Sequence, residues 1–128
     1  MAPQPVIYIV DDDDAVRDSL CVLFGVEGLA ARGHVSAQAL LDDLPGVPHG
    51  CIVTDMHMAE MTGLELLCRL KALGVALPVI VMTGRGGPAL AAEVMAAGAA
   101  AFIEKPFGPE DIIEAVRTAM RESGRVTG

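Results

Sequence analysis

Short runs of consecutive apolar residues alternate along the chain with longer segments in which apolar residues recur three and four positions apart. Runs that are apolar on both faces are typical of strands buried in a parallel sheet, and the longer segments indicate amphipathic helices. The predicted strands cover residues 6–10, 30–35, 50–54, 77–83 and 99–103. Arg32 and His34 interrupt the second run, which is therefore predicted to lie at an edge of the sheet.

The residues at the predicted helix ends agree with this division. Ser36 is suited to cap the second helix, and Pro88 and Pro109 stand where a first helical turn accepts proline. Glycine follows the first, third and fourth helical segments, as is common at helix C-termini. Strict alternation of strand and helix predicts an α/β fold with a doubly wound, five-stranded parallel sheet and five helices. We expect the flavodoxin-like order 2-1-3-4-5, in which strands one and three would be neighbours where the order reverses.

Composition limits the classes of function. The 128 residues suit one domain, and a net charge of −8 argues against nucleic-acid binding or anionic-membrane binding by the domain as a whole. The 3 cysteines lack the spacing of a zinc site or disulfide framework, which predicts reduced thiols and a cytoplasmic location. His34, His49 and His57 have no metal-ligand spacing and are expected at the surface or in loops.

Polar residues follow four of the predicted strands at the edge of the sheet where open α/β folds bind ligands. Aspartates occupy positions 11–14 after the first strand, Asp55 follows the third, Thr83 ends the fourth, and Lys105 follows the fifth. Carboxylates brought together resist ionisation unless a cation is near, and Mg²⁺ prefers oxygen ligands. The pattern predicts phosphoryl transfer to a carboxylate beside Mg²⁺ and an ammonium group. For Asp13 and Asp14, capping of the following helix is favoured.

Five short motifs stand in order between about residues 6 and 120. They are Ile-Val-Asp-Asp at 9–12, Val-Arg at 16–17, Asp55 with Met58 and Gly63 downstream, Thr-Gly at 83–84, and Phe-Ile-Glu-Lys-Pro-Phe at 102–107. Together they resemble the receiver domain of two-component response regulators, and the FixJ-like branch in particular. The resemblance implies a signalling domain that catalyses only its own phosphorylation and dephosphorylation.

The resemblance also implies a role for each matching residue. Asp55 would be the phosphoacceptor, and Asp11, Asp12, Asp55 and the backbone carbonyl of His57 would hold Mg²⁺. Lys105 would pair with the phosphoryl group. The peptide bond between Lys105 and Pro106 would be cis, which would aim the lysine back at the site.

A conformational switch is implied as well. Thr83 would bond to the phosphoryl group after transfer, and Phe102 would swing inward as Thr83 moves. Ala59 stands where the family usually has proline, which predicts a looser loop after the phosphoacceptor.

The implied partners are a sensor histidine kinase and, after phosphorylation, a second copy bound through the fourth helix and fifth strand. Residues 1–123 would form the receiver domain, and residues 124–128 a tail or the start of a linker. Any DNA-binding output domain, controlling transcription, would lie outside this chain.

Three other functions are compatible with parts of the sequence. Residues 12–16 fit the D-x-D-x-[TV] motif of haloacid-dehalogenase-like phosphatases, although Asp55 would then have no role. Residues 84–89 fit the G-x-G-x-x-A pattern of dinucleotide-binding folds, but only one predicted helix follows Glu104. A pseudo-receiver would be a binding module that keeps the receiver fold but is never phosphorylated. The presence of all the expected aspartates argues against it.

Overall fold

In a computed structural model of the chain, described for residues 4–46 and 48–125, strands and helices alternate strictly. The strands are β1 (Val6–Val10), β2 (Ala30–His34), β3 (Gly50–Asp55), β4 (Val79–Thr83) and β5 (Ala101–Glu104). The helices are α1 (Asp14–Val26), α2 (Ala37–Asp43), α3 (Gly63–Ala72), α4 (Pro88–Ala96) and α5 (Pro109–Arg125). Within the described residues, no helix combines the length and the apolar character needed to span a membrane.

The five strands form one parallel sheet in the order β2-β1-β3-β4-β5, which confirms the predicted topology. Val6 pairs with Gly50 where β1 and β3 begin, and this contact requires glycine. Gly50 has φ of +126°, and a Cβ there would lie 2.0 Å from the Val6 carbonyl oxygen. The close approach lets β1 and β3, whose carboxyl ends carry the aspartates, lie side by side.

Alternate residues of the strands pack into two apolar cores, one on each face of the sheet. Tyr8 and Val10 pack on the face covered by α2, α3 and α4, whereas Ile7 and Ile9 pack on the face covered by α1 and α5. Both faces are covered, as the consecutive apolar residues of the strands predicted. The largest fully buried helix side chains are Phe24, Leu40, Leu66, Leu67, Leu70 and Ile112.

β1 has the predicted boundaries, and each of the other four strands differs from its prediction by one or two residues at one end or both. β4 begins after Pro78, which has no N–H to donate to a neighbouring strand. β5 begins at Ala101 because the preceding residues close α4: Gly98 has φ of +106°, and the Ala99 amide donates to the Val94 carbonyl at 3.3 Å. α5 continues to Arg125, and residues 126–128 of the predicted tail lie outside the described residues.

His34 was predicted at the surface or in a loop, and this was wrong. It ends β2 with only 7% of its surface exposed, and a hydrogen bond of 2.8 Å joins its Nε2 to Asp43 Oδ2. Arg32 donates to the other Asp43 oxygen at 3.0 Å. The hydrogen bond from His34 is the main reason why the pKa of Asp43 lies below its ordinary value. Burial of His34 is tolerated because α2 supplies this partner.

Candidate functional site

The polar residues at the strand ends meet at one edge of the sheet. Asp55 is the last residue of β3 and Thr83 the last of β4, while Asp11 and Lys105 directly follow β1 and β5. Because these four strands are parallel neighbours, their carboxyl ends lie side by side. Asp11, Asp55 and Thr83 are buried, which is unusual for polar side chains without a specific role.

Three carboxylates form a cluster at this edge. One oxygen from each of Asp11, Asp12 and Asp55 lies within 4.8 Å of the others, and Asp12 is the exposed member. Burial raises the pKa of Asp11, and the charges of Asp55 and Asp12 add to the effect. Asp11 Oδ2 is buried without a hydrogen-bond partner among the described residues. A set of oxygen ligands that includes a buried oxygen without a hydrogen bond fits a hard divalent cation such as Mg²⁺.

Lys105 supplies positive charge to the same cluster. Its Nζ donates to Asp55 Oδ1 at 2.9 Å and lies 3.6 Å from Asp11 Oδ2, which is too long for a hydrogen bond. Burial lowers the pKa of Lys105, but the hydrogen bond to Asp55 and the charges of Asp55 and Asp11 outweigh it, so the pKa is raised. Lys105 is therefore an ammonium group at neutral pH. The peptide bond between Lys105 and Pro106 is cis, as the resemblance implied.

Backbone contacts hold Asp55 in place. The amide of His57 donates to Asp55 Oδ2 at 3.1 Å, so both carboxylate oxygens have a donor. Gly63, the first residue of α3, lies against the strand end: a Cβ there would come within 2.7 Å of the Asp55 carbonyl oxygen. A capping box between Thr62 and Glu65 fixes the start of this helix. The loop after Asp55 therefore ends at a helix whose first residue packs against the end of β3.

Asp13 and Asp14, at the start of α1, have different roles. Asp13 is the N-cap of α1, where its side chain accepts from the amides of Ala15 and Val16, and this confirms the capping prediction. Asp14 does not cap; it is the first helical residue and pairs with Arg17. A carboxylate in the first turn favours the helix through its dipole.

A loop after β4 brings together the residues assigned to a switch. The Thr83 hydroxyl donates to the Arg85 carbonyl at 2.6 Å and accepts from the Arg85 amide at 3.1 Å. The His57 ring reaches the same carbonyl, with Nε2 3.2 Å away. A Cβ on Gly86 would lie 3.1 Å from Thr83 Cγ2 and 3.2 Å from Phe102 Cζ. Thr83 and Phe102 therefore both line the space that a side chain at position 86 would fill.

Comparison with known proteins shows which family has this arrangement. A family described as the response regulator receiver domain matches residues 7–117. This chain belongs to the receiver family. The receiver domain is 52% identical over 119 residues to the transcriptional regulatory protein FixJ of Azorhizobium caulinodans, covering 91% of this chain and 56% of FixJ. It is 41% identical to the response regulator protein TmoT of Ectopseudomonas mendocina, covering 92% of this chain and 54% of TmoT.

A solved structure agrees with the sequence matches. A crystal structure of FixJ-N has a TM-score of 0.86 and 42% identity, with 99% of each chain covered. The receiver domain spans little more than half the length of the curated relatives it matches. The predicted family and fold class are confirmed, and the phosphatase and dinucleotide-binding alternatives are set aside.

Several contacts in this receiver domain could not be predicted from the sequence motifs. The His57 ring was treated as a loop histidine, yet it bridges to Arg85. Gly86 is one of 14 glycines, and only its neighbours in space distinguish it. Arg17 was noted as part of a motif, but its contact with the Asp11 carbonyl depends on how α1 leaves the sheet. The predicted site residues themselves lie together at one edge.

Proposed function

We propose that this receiver domain takes a phosphoryl group onto Asp55 from a phosphohistidine of a sensor histidine kinase. The observation that carries the proposal is the hydrogen bond between Lys105 and Asp55 inside the cluster of carboxylates. A buried carboxylate beside an ammonium group and two further acidic residues suits attack on a phosphoryl group better than it suits a structural ion pair.

The transfer forms one bond and breaks one. An oxygen of the Asp55 carboxylate attacks phosphorus, the new P–O bond forms as the P–N bond of phosphohistidine breaks, and the histidine ring leaves with the electron pair. Lys105 stays beside the reacting carboxylate and offsets the negative charge of the incoming group. The product is an acyl phosphate, which water can later hydrolyse, so the domain returns to its starting state.

A cation completes the charge balance of the proposed site. Asp11, Asp12, Asp55 and the backbone carbonyl of His57 would hold Mg²⁺. When bound, Mg²⁺ supplies positive charge against the phosphoryl oxygens. The orphaned oxygen of Asp11 supports this proposal, because a bound cation would give that oxygen a partner.

The proposed response is a change of surface at α4 and β5. A phosphoryl group on Asp55 would draw the Thr83 hydroxyl from Arg85 and open space for Phe102. We propose that the altered face forms a symmetric dimer, and that an output domain in the full-length protein then controls transcription. On α4, Val94 is fully buried and is not available to this face, whereas Met95 is 45% exposed.

Intact mass after incubation with a small acyl-phosphate donor tests the phosphoacceptor. The wild-type protein should gain one phosphoryl group only when Mg²⁺ is present, and Asp55→Asn should gain none, because the nucleophile has become an amide. Asp18→Asn is a matched control, since Asp18 is an exposed aspartate of α1 outside the cluster. Phosphorylation that persists in Asp55→Asn but disappears in Asp12→Asn would contradict the assignment and make Asp12 the nucleophile.

A further inference from the structure

Arg17 of α1 connects the acidic turn to the rest of the fold. Its Nη1 donates to the backbone carbonyl of Asp11 at 2.8 Å, and its Nη2 pairs with the carboxylate of Asp14. Only 17% of the Arg17 side chain is exposed, although it carries a charge. A guanidinium group that is largely withdrawn from water stays there when its donors are satisfied by fixed acceptors.

The stem of Arg17 lies across β2 at Gly33. A Cβ on Gly33 would come within 2.8 Å of Arg17 Cγ and 2.9 Å of Cδ, closer than carbon atoms approach without displacement. Gly33 is not among the glycines with positive φ, so its backbone conformation alone does not require glycine. The absent side chain instead provides the space through which Arg17 reaches Asp11.

Asp11 is consequently held from several sides. Its amide donates to the His34 carbonyl at 3.1 Å, its carbonyl accepts from Arg17, and its Oδ1 accepts from the Asp13 amide at 2.9 Å. The oxygen left without a hydrogen bond is Oδ2, and Asp11 is a member of the carboxylate cluster. Asp12 follows on the same stretch of main chain, so a shift of the Asp11 carbonyl would move both carboxylates.

We propose that Arg17 is a positioning residue for the cation site, and that Gly33 serves the same site by making room for the stem of Arg17. The inference rests on the proposed function, because it concerns the same Mg²⁺ site. If Arg17 acted only through its charge, its removal would strengthen cation binding, because a nearby positive charge would be gone. Positioning predicts weaker binding in Arg17→Gln and also in Arg17→Lys, where the charge is kept.

Calorimetric titration of the intact chain with Mg²⁺ tests the proposal. Arg17→Lys and Gly33→Ala should each weaken Mg²⁺ binding by about tenfold, the scale typical of residues that orient metal ligands. Gly33→Ala is informative because it removes no polar group. Gly25→Ala is its control, since a Cβ at Gly25 meets nothing within 4 Å. Asp14→Asn should leave the affinity nearly unchanged if the contact with the Asp11 carbonyl is the one that matters.

A double-mutant cycle separates positioning from general destabilisation. In an Arg17→Ala background, where the stem is gone, Gly33→Ala should weaken Mg²⁺ binding no further. Thermal melts with and without Mg²⁺ provide the second readout: a merely structural role lowers both melting temperatures equally and leaves the Mg²⁺-dependent increment unchanged. That result, or wild-type affinity in Arg17→Lys and Gly33→Ala, overturns the proposal. If the wild-type protein binds no Mg²⁺, the metal site of the proposed function fails as well.

Discussion

The Thr83 hydroxyl is hydrogen-bonded to Arg85 in both directions, donating to its carbonyl at 2.6 Å and accepting from its amide at 3.1 Å. To contact a phosphoryl group on Asp55, the hydroxyl has to give up this local pair. The Arg85 carbonyl would not be left without a donor, because His57 Nε2 lies 3.2 Å from the same oxygen. At the Arg85 carbonyl the exchange removes one of two donors, which keeps the cost there low, whereas the Arg85 amide loses the hydroxyl as its acceptor.

Thr83→Ala should separate phosphorylation from response. The nucleophile and the acidic cluster remain, so the variant should still gain a phosphoryl group, but it should dimerise less because the hydroxyl that senses phosphate is gone. Light scattering with and without beryllofluoride measures the response, and Thr83→Ser is the matched control that keeps the hydroxyl. A Thr83→Ala protein that dimerises as fully as the wild-type protein would show that Thr83 is not the sensor.

Gly86→Ala should impair the same response by filling space. The new methyl group would lie 3.1 Å from Thr83 Cγ2 and 3.2 Å from Phe102 Cζ, so it would fill space that the proposed switch requires. We expect a loss of about 1 kcal/mol in the free energy of unfolding, at the low end of overpacking effects, and a weaker dimer with beryllofluoride. Both are measured by urea unfolding and light scattering.

Gly84→Ala is the control for that substitution. It lies in the same loop, its φ is not positive, and a Cβ there meets nothing within 4 Å. The beryllofluoride complex is used so that any change in phosphate lifetime does not enter the comparison. Equal behaviour of Gly84→Ala and Gly86→Ala would refute a role for the space at Gly86.

Millimolar Mg²⁺ should raise the melting temperature, because a ligand that binds only the native state stabilises it. Asp12→Asn should raise the melting temperature without Mg²⁺, since it removes one charge from the cluster with Asp11 and Asp55, and should shrink the Mg²⁺-dependent increment. Asp18→Asn should change neither quantity. Thermal melts with Mg²⁺ or a chelator measure these values, and a wild-type protein indifferent to Mg²⁺ would contradict the cation site.

The hydrogen bond between His34 and Asp43 should contribute a part of the stability that depends on acid pH. The hydrogen bond from His34 holds the pKa of Asp43 below its ordinary value near 3.8. The ionised carboxylate is thus favoured in the native state, so its stabilisation is complete above pH 3.8 and is lost as pH falls through the lowered native pKa.

Asp43→Asn should therefore be less stable than the wild-type protein at pH 7, and the difference should narrow as the pH falls below 3.8. Melting temperatures above and below this pH measure the gap. The neighbouring exposed Asp42 provides the control, Asp42→Asn, whose gap should stay small throughout. A gap for Asp43→Asn that does not change with pH would mean that the carboxylate charge is not what stabilises β2 against α2.

The covered parallel sheet and the acidic edge could be predicted because each depends on a regular feature of the sequence. Consecutive apolar residues mark strands covered on both faces, and parallel strands place their carboxyl ends together, so Asp11 and Asp55 were expected to meet. His34 could not be placed correctly, because its burial depends on Asp43, which belongs to a helix that the strand pattern does not position. The contacts of Gly86 depend on an irregular loop, for which hydrophobic periodicity gives no information.

The position of β3 in the sheet has a consequence for local opening. β3 lies between β1 and β4, and its residues from Cys51 to Asp55 are all buried. Amide hydrogens there are expected to exchange with solvent only when the whole domain unfolds, whereas β5, at the edge of the sheet and largely half-buried, can open locally at lower free energy. Asp55 is thus attached to the part of the domain that opens least, and Phe102 to a strand that can shift without the others.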